Sequence, residues 1–281
     1  MTSHPRFEPM FNCVHVDEKW FYMTQVSPRY YLAPGEEEPY RSCKSKRYIT
    51  KVMFLCVVAG PRFSPSEVLF DGKIGIFPFT EFCSAKRNIK NRAQGTIEEK
   101  AIDNVTKEVY RECLLRKVLP AIKAKWPIDA SGHIFIQQDN TKPHIQPNDS
   151  EFMAAATTEG FNIKLACQPP NSPDLNILDL GFFRSVECLQ QANRSSTVSE
   201  LVVAVTKAYD EFSPYTLNKV WLSLQLCMTE ILIVKGNNNY KIPHIGHDNL
   251  HAQGELPISI GADPTLVREV MELLANGSTQ A

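Results

Sequence analysis

"HIFIQQDNTKPHIQPN", residues 133–148, poses the question on which the fold turns. An apolar run, Ile134 to Ile136, stops at two glutamines and gives way to Asp139, Asn140, Thr141, Lys142 and a Pro143–His144 pair. A short β-branched and aromatic run of this kind reads as a strand carried into an interior. Its polar end has two readings. Asx side chains bond nearby backbone amides, so Asp139 can simply open a turn. Alternatively the strand is a rigid mount for a carboxylate, with Asn140 and His144 shaping the space beside it.

Upstream, "NCVHVDEKWFYM" (12–23) alternates Val14 and Val16 with His15 and Asp17, a strand pattern. "VMFLCVVAG" (52–60) reads as a buried strand, and "FDGKIGIFPF" (70–79) as an Asp71–Gly72 turn leading into another. A helix is predicted from about Asp103, kinked or split at Pro120. Downstream, "IKLACQP" (163–169) is a further short strand, and a helix opens at Asp179 and runs to about Asn193. "TVSE" (197–200) is a capping box, a long helix covers about 215–234 and ends at Gly236, and a short one lies near 264–275. Strands early, helices late and one strand returning between them predict an α/β fold with a mixed central sheet flanked by helices. The division expected is a core over 1–195, with a basic insertion around 60–100, and a helical extension over 196–281.

Lys plus Arg (30) balance Asp plus Glu (31), so whole-chain charge does not point to nucleic acid. Such a partner requires local patches, and there are two: Arg41, Lys44, Lys46, Arg47 and Lys51, then Lys86, Arg87, Lys90 and Arg92. Either can equally be a solvated face. The eight cysteines contain no C-x-x-C pair and several sit in apolar runs, which predicts reduced thiols in an intracellular setting. No run approaches the roughly 20 apolar residues of a membrane span, and the opening "MTSHPRFEPM" does not read as a signal peptide. His244, His247 and His251 have a zinc-like spacing, but they follow a Pro and lack a nearby Cys, so a loop is the better reading.

Three acids stand at element ends: Asp17 ending the first strand, Asp139 ending the later one and Asp179 starting a helix. If the two strands are neighbours, Asp17 and Asp139 meet, and a helix across them brings in Asp179. Clustered carboxylates repel and are stable mainly around a cation; oxygen ligands suit Mg²⁺ or Mn²⁺. Two such ions about 4 Å apart serve phosphoryl transfer. Each acid taken singly is explained as well by a turn or a helix N-terminus.

"VHVDEKWFY", "FIQQDNTKPH" and "NSPDLNILDLGFF", in that order, resemble the catalytic domain of mariner-like transposases of the Tc/mariner superfamily. "KSKRYITKVMF", "KVLPAIKAKWP" and "GNNNYKIPH" look closest to its plant and oomycete-type branch. The resemblance implies an RNase H-like fold, a DDD triad binding two Mg²⁺ or Mn²⁺ ions, and cut-and-paste DNA transposition. It also implies double-stranded DNA as partner (element ends and target), a homodimer when active, and a nuclear location. Carried over, the triad is Asp17, Asp139 and Asp179, with Asn140 and His144 organising the site. Asp174 also has a spacing used in the family, but its place in the "SPDL" turn favours Asp179, and Glu187 is a distant fallback about 12 Å along the helix.

Family members carry paired helix-turn-helix modules ahead of the catalytic domain, whereas this chain starts about a dozen residues before Asp17. The expectation is therefore a catalytic portion without end recognition. Two alternatives remain: a decayed or domesticated remnant that binds DNA or protein without cutting, and an RNase H-like nuclease acting on RNA or hybrids.

Overall fold

A computed structural model describes residues 5–24, 33–37, 49–90, 92–191, 195–237, 239–241 and 257–277. Arg41, Lys44, Lys46 and Arg47 of the first basic patch, and the three tail histidines, lie outside the described residues.

The strands are β1 (Cys13–Tyr22), β2 (Lys51–Ala59), β3 (Arg62–Phe63), β4 (Val68–Phe70), β5 (Lys73–Pro78), β6 (Thr80–Ser84), β7 (Ile97–Ala101), β8 (His133–Gln138) and β9 (Asn162–Cys167). Five of them form one mixed sheet in the order β5-β2-β1-β8-β9. β1 is antiparallel to β2 and parallel to β8. β3 with β4 and β6 with β7 form separate two-stranded pieces. The predicted Asp71–Gly72 turn is present: Asp71 Oδ1 accepts from Lys73 N, and Gly72 has φ +78°. A Cβ at Gly72 would meet the Ala59 carbonyl at 2.4 Å, so only glycine fits.

Both faces of the sheet are covered. On one face Val14, Val16, Leu55, Val57, Ile134 and Ile136 pack against α1 (Lys107–Cys113), α2 (Leu119–Lys125) and α3 (Ser150–Ala156). On the other, Phe21, Phe54, Cys56 and Val58 pack against α4 (Phe183–Gln191), α5 (Val198–Asp210) and α6 (Pro214–Ile233). Tyr209 of α5 is anchored there by its hydroxyl, which donates to Val57 O at 2.9 Å. A last helix, α7 (Pro264–Gly277), touches α6.

Pro120 acts upstream of itself. α1 and α2 are joined by a π-helical stretch, Leu114–Val118, in which Leu119 N–H reaches Leu114 O. Proline has no N–H to give to the carbonyl four residues back, and the wider turn absorbs that loss without breaking the rod. The capping box at α5 is offset: Thr197 caps Glu200 N, but the Glu200 carboxylate accepts from Ser196 N. The seven described cysteines are free, and no helix among the described residues is long and apolar enough to cross a membrane.

A candidate carboxylate site

Parallel pairing sets the first two acids. The β1–β8 ladder aligns His15 with Gln137, and two residues further along both chains come Asp17 and Asp139. The third acid comes from a π-helical turn, Leu178–Phe182, kinked at Gly181, whose φ of 154° suits glycine alone. All three line one cavity of about 360 Å³, rimmed by Asn140, Thr141 and the Pro169–Pro173 loop. Asp174 instead falls in a short 3₁₀ turn, Pro173–Leu175, and Glu187 is taken by Lys19 at 3.4 Å.

The cluster is electrostatically loaded. Burial, then the neighbouring Asp179, Glu18 and Asp139 carboxylates, push Asp17 up to about 8, against the lowering effect of the Glu18 N–H bond. Burial also raises Asp179, with Lys19 opposing and Asp139 reinforcing; a hydrogen bond joins it to Asp17. Both shifts disfavour a doubly charged Asp17–Asp179 pair. Asn176 holds Asp17 from the other side: its Nδ2 donates to Asp17 Oδ2 at 2.9 Å while its Oδ1 accepts from Leu178 N. One buried amide therefore ties β1 to the turn that carries Asp179.

Asp139 has its own brace. Its Oδ1 accepts from the N–H and hydroxyl of Thr141 and lies 2.8 Å from His144 Nδ1. His144 Nε2 is 3.0 Å from Glu18 Oε1, and Tyr110 stacks on the ring at 4.3 Å. Burial opposes charging of His144, yet the Glu18 and Asp139 carboxylates outweigh it and its pKa is raised. Asn140 Nδ2 donates to Gln168 O at 2.7 Å, joining the ends of β8 and β9.

Sequence reading picks out the three acids, Asn140 and His144, and the fold brings all five together. It misses Glu18 and Asn176. Glu18 is legible in principle, since strand alternation sends it to the face opposite Asp17; Asn176 carries no such signal. Of the described cations, Lys86, Arg87 and Lys90 are exposed, Arg92 is paired with Glu98 at 2.6 Å, and Lys51 lies over Trp20 at 4.0 Å.

The donor set is all hard oxygen, which fits Mg²⁺ or Mn²⁺. Among the described residues no three His, Cys, Asp or Glu side chains are drawn close enough to ligate one ion. Carboxylates ligate a cation in their deprotonated form.

This five-stranded mixed sheet with its flanking helices is an RNase H-like fold. Among solved structures the chain is similar to those of the Mos1 mariner transposase. The paired-end complex with the left transposon end matches at 15% identity and TM-score 0.52, over 83% of this chain and 57% of that one. A pre-cleavage Mos1 transpososome matches at 14% and 0.52, over 83% and 58%. The Mos1 paired-end complex with Mn matches at 15% and 0.50, over 83% and 57%. The chain thus spans a little over half the length of these neighbours, and at such identities the likeness is one of fold. No protein-family model and no curated protein matches the sequence.

Proposed function

We propose that this chain is the catalytic portion of a DNA transposase, which cuts phosphodiester bonds at element ends and joins them to target DNA. One observation carries the reading: on an RNase H-like sheet, two paired strands and a turn deliver Asp17, Asp139 and Asp179 to a single open cavity. The Mos1 complexes with transposon ends and with Mn support it.

Each residue then has a task. Asp17 and Asp139 form the fixed wall of the site, and Asp179 closes it. Asn176 orients Asp17, while the Glu18–His144 pair holds Asp139 in one rotamer. When bound, divalent ions would supply Lewis acidity to the attacking and leaving oxygens. Asp17, Asp139 and Asp179 would hold them as carboxylates. A homodimer acting in the nucleus belongs to the same proposal, on the family resemblance.

The test is cleavage of supercoiled plasmid in Mn²⁺, with EDTA and Asp139→Ala as controls. Cleavage that vanishes with both is the expected result. A folded chain that binds DNA without cutting it would instead be a remnant. A negative result is repeated on a fusion carrying an N-terminal DNA-binding module, which separates missing recruitment from a missing activity.

A further inference from the structure

The carboxylate cavity is acidic, with Asp17, Asp139 and Asp179 lining it and Glu18 beside it, so a phosphate backbone needs cations from elsewhere to dock there. The β6–β7 hairpin is placed to supply them. β5 runs parallel to β1: Pro78 pairs with Phe54, which pairs with Lys19, two residues beyond Asp17. The chain therefore leaves β5 at the same end of the sheet at which β8 delivers Asp139, two strands away from β1 or about 10 Å.

There it forms a narrow two-stranded ribbon. The pairing of Thr80–Ser84 with Ile97–Ala101 continues outward through Ala85 N to Thr96 O and ends where Ile89 and Arg92 exchange bonds of 2.9 and 3.0 Å around Lys90. Its charge is sorted along its length. The acids lie near the base, where Glu98 is held by Arg92 and Glu99 accepts from Thr80 at 2.8 Å; only Glu81 is fully exposed, paired across the ladder with Lys100. Lys86, Arg87 and Lys90 are exposed toward the tip and have no ion pair among the described residues. Large apolar groups also stay in solvent on the ribbon: Phe82 is 73% exposed, Ile97 66% and Ile89 58%. The base of the ribbon packs on α5 and β2 through β7, but its unpaired basic tip is complementary to a polyanion, and a two-stranded ribbon matches the width of a DNA major groove.

We propose that the β6–β7 hairpin is a duplex-DNA arm whose tip, about 20 Å beyond the base of the ribbon, grips the backbone flanking the site through Lys86, Arg87 and Lys90; this rests on the transposase reading of the cavity. The test measures binding of the full chain to a fluorescent duplex in EDTA, where no cutting occurs, over a series of KCl concentrations. The triple variant Lys86→Ala/Arg87→Ala/Lys90→Ala is expected to lower the slope of log affinity against log salt by about 2.7, or about 0.9 for each phosphate no longer neutralised. Phe82→Ser is expected to leave that slope and the sedimentation coefficient unchanged. An unchanged slope in the triple variant overturns the arm, as does absence of duplex binding by the parent chain. So does a Phe82→Ser variant that alters oligomeric state while the cations prove silent, since the ribbon would then be a protein interface. The two readings separate cleanly. Cleavage with an unchanged slope removes the arm and keeps the transposase, whereas a lowered slope without cleavage keeps the arm and removes the enzyme.

Discussion

Two histidines sit on strands or loops around the same carboxylate site, equally buried, and behave in opposite ways. His15 is 2% exposed and His144 4%. His15 faces the edge of Trp221 at 5.1 Å and has Gln137 Nε2 at 3.4 Å; burial pushes it down to about 4, and a hydrogen bond with Asn176 only softens the shift. His144 lies between Glu18 and Asp139 and is pushed up instead. Burial alone makes a histidine a neutral spacer; burial between two acids makes it a counter-ion. The difference lies in the neighbours.

Removing the counter-ion breaks this contrast most severely. His144→Ala leaves Glu18 and Asp139 facing each other across a vacated site, and is expected to cost about 3 kcal/mol in urea unfolding, given the partial exposure of both acids. Cleavage should fall with it, while His144→Lys is expected to recover part of the stability. A loss below about 1 kcal/mol would mean that the two acids relax apart and that His144 only packs.

The second effect is on pH. Asp17 ionises near 3.8 in the unfolded chain and near 8 in the fold, so between those values the folded chain keeps a proton that the unfolded one has released. Stability in EDTA should fall as pH rises from 6 to 8, by about 2 kcal/mol at up to 1.4 per unit. His144 acts in the same sense, since its raised pKa contributes stability below about 6.5 that is lost as pH climbs through the folded value. His15 acts in the opposite sense: unfolding lets it take up a proton between 6.5 and 4, which penalises the fold in acid. Thermal melts of the parent, His144→Gln and His15→Leu across pH 4.5–8.5 separate the three. If Asp17 behaves as an ordinary carboxylate, the parent shows no alkaline loss. Mn²⁺ should restore the lost stability, more at pH 8 than at pH 6.

Asn176→Ala removes the amide from Asp17 and from Leu178 N, an expected loss of about 1.5 kcal/mol together with weaker Mn²⁺ protection. Unchanged Mn²⁺ protection would make Asn176 a loop residue only. The smallest effect falls to His15→Leu at neutral pH, expected below about 1 kcal/mol, because Gln137 retains its 2.7 Å bond to Leu175 O.

Much of the fold and of the site is legible in the residues alone. Alternation places β1, and short apolar runs place β2, β8 and β9. Asp139 and Asp179 do fall at the end of β8 and in a helical turn, but Asp17 lies in the middle of β1, because the strand runs on beside β2 as far as Tyr22. The β6–β7 hairpin reads only as a basic segment, since Phe82, Ile89 and Ile97 face solvent and leave no buried stripe to detect. α3 is short and held by its Asp149 cap and the Arg111–Asp149 pair at 2.7 Å, a partner 38 residues away that no local pattern reveals. Asn176 and Glu18 acquire their roles only from what the fold sets opposite them.

The Gly181 kink has one more consequence. Asp17 lies in β1 and Asp139 one residue past β8, each two residues beyond the last paired position of neighbouring strands, so the sheet holds the gap between them like the jaws of a calliper. Asp179 rides on a turn whose bend rests on a single glycine, two residues after the acid. On the proposed metal-binding reading, a difference in ionic radius would be taken up by that one sliding jaw, and Gly181 would set how large a cation the site tolerates.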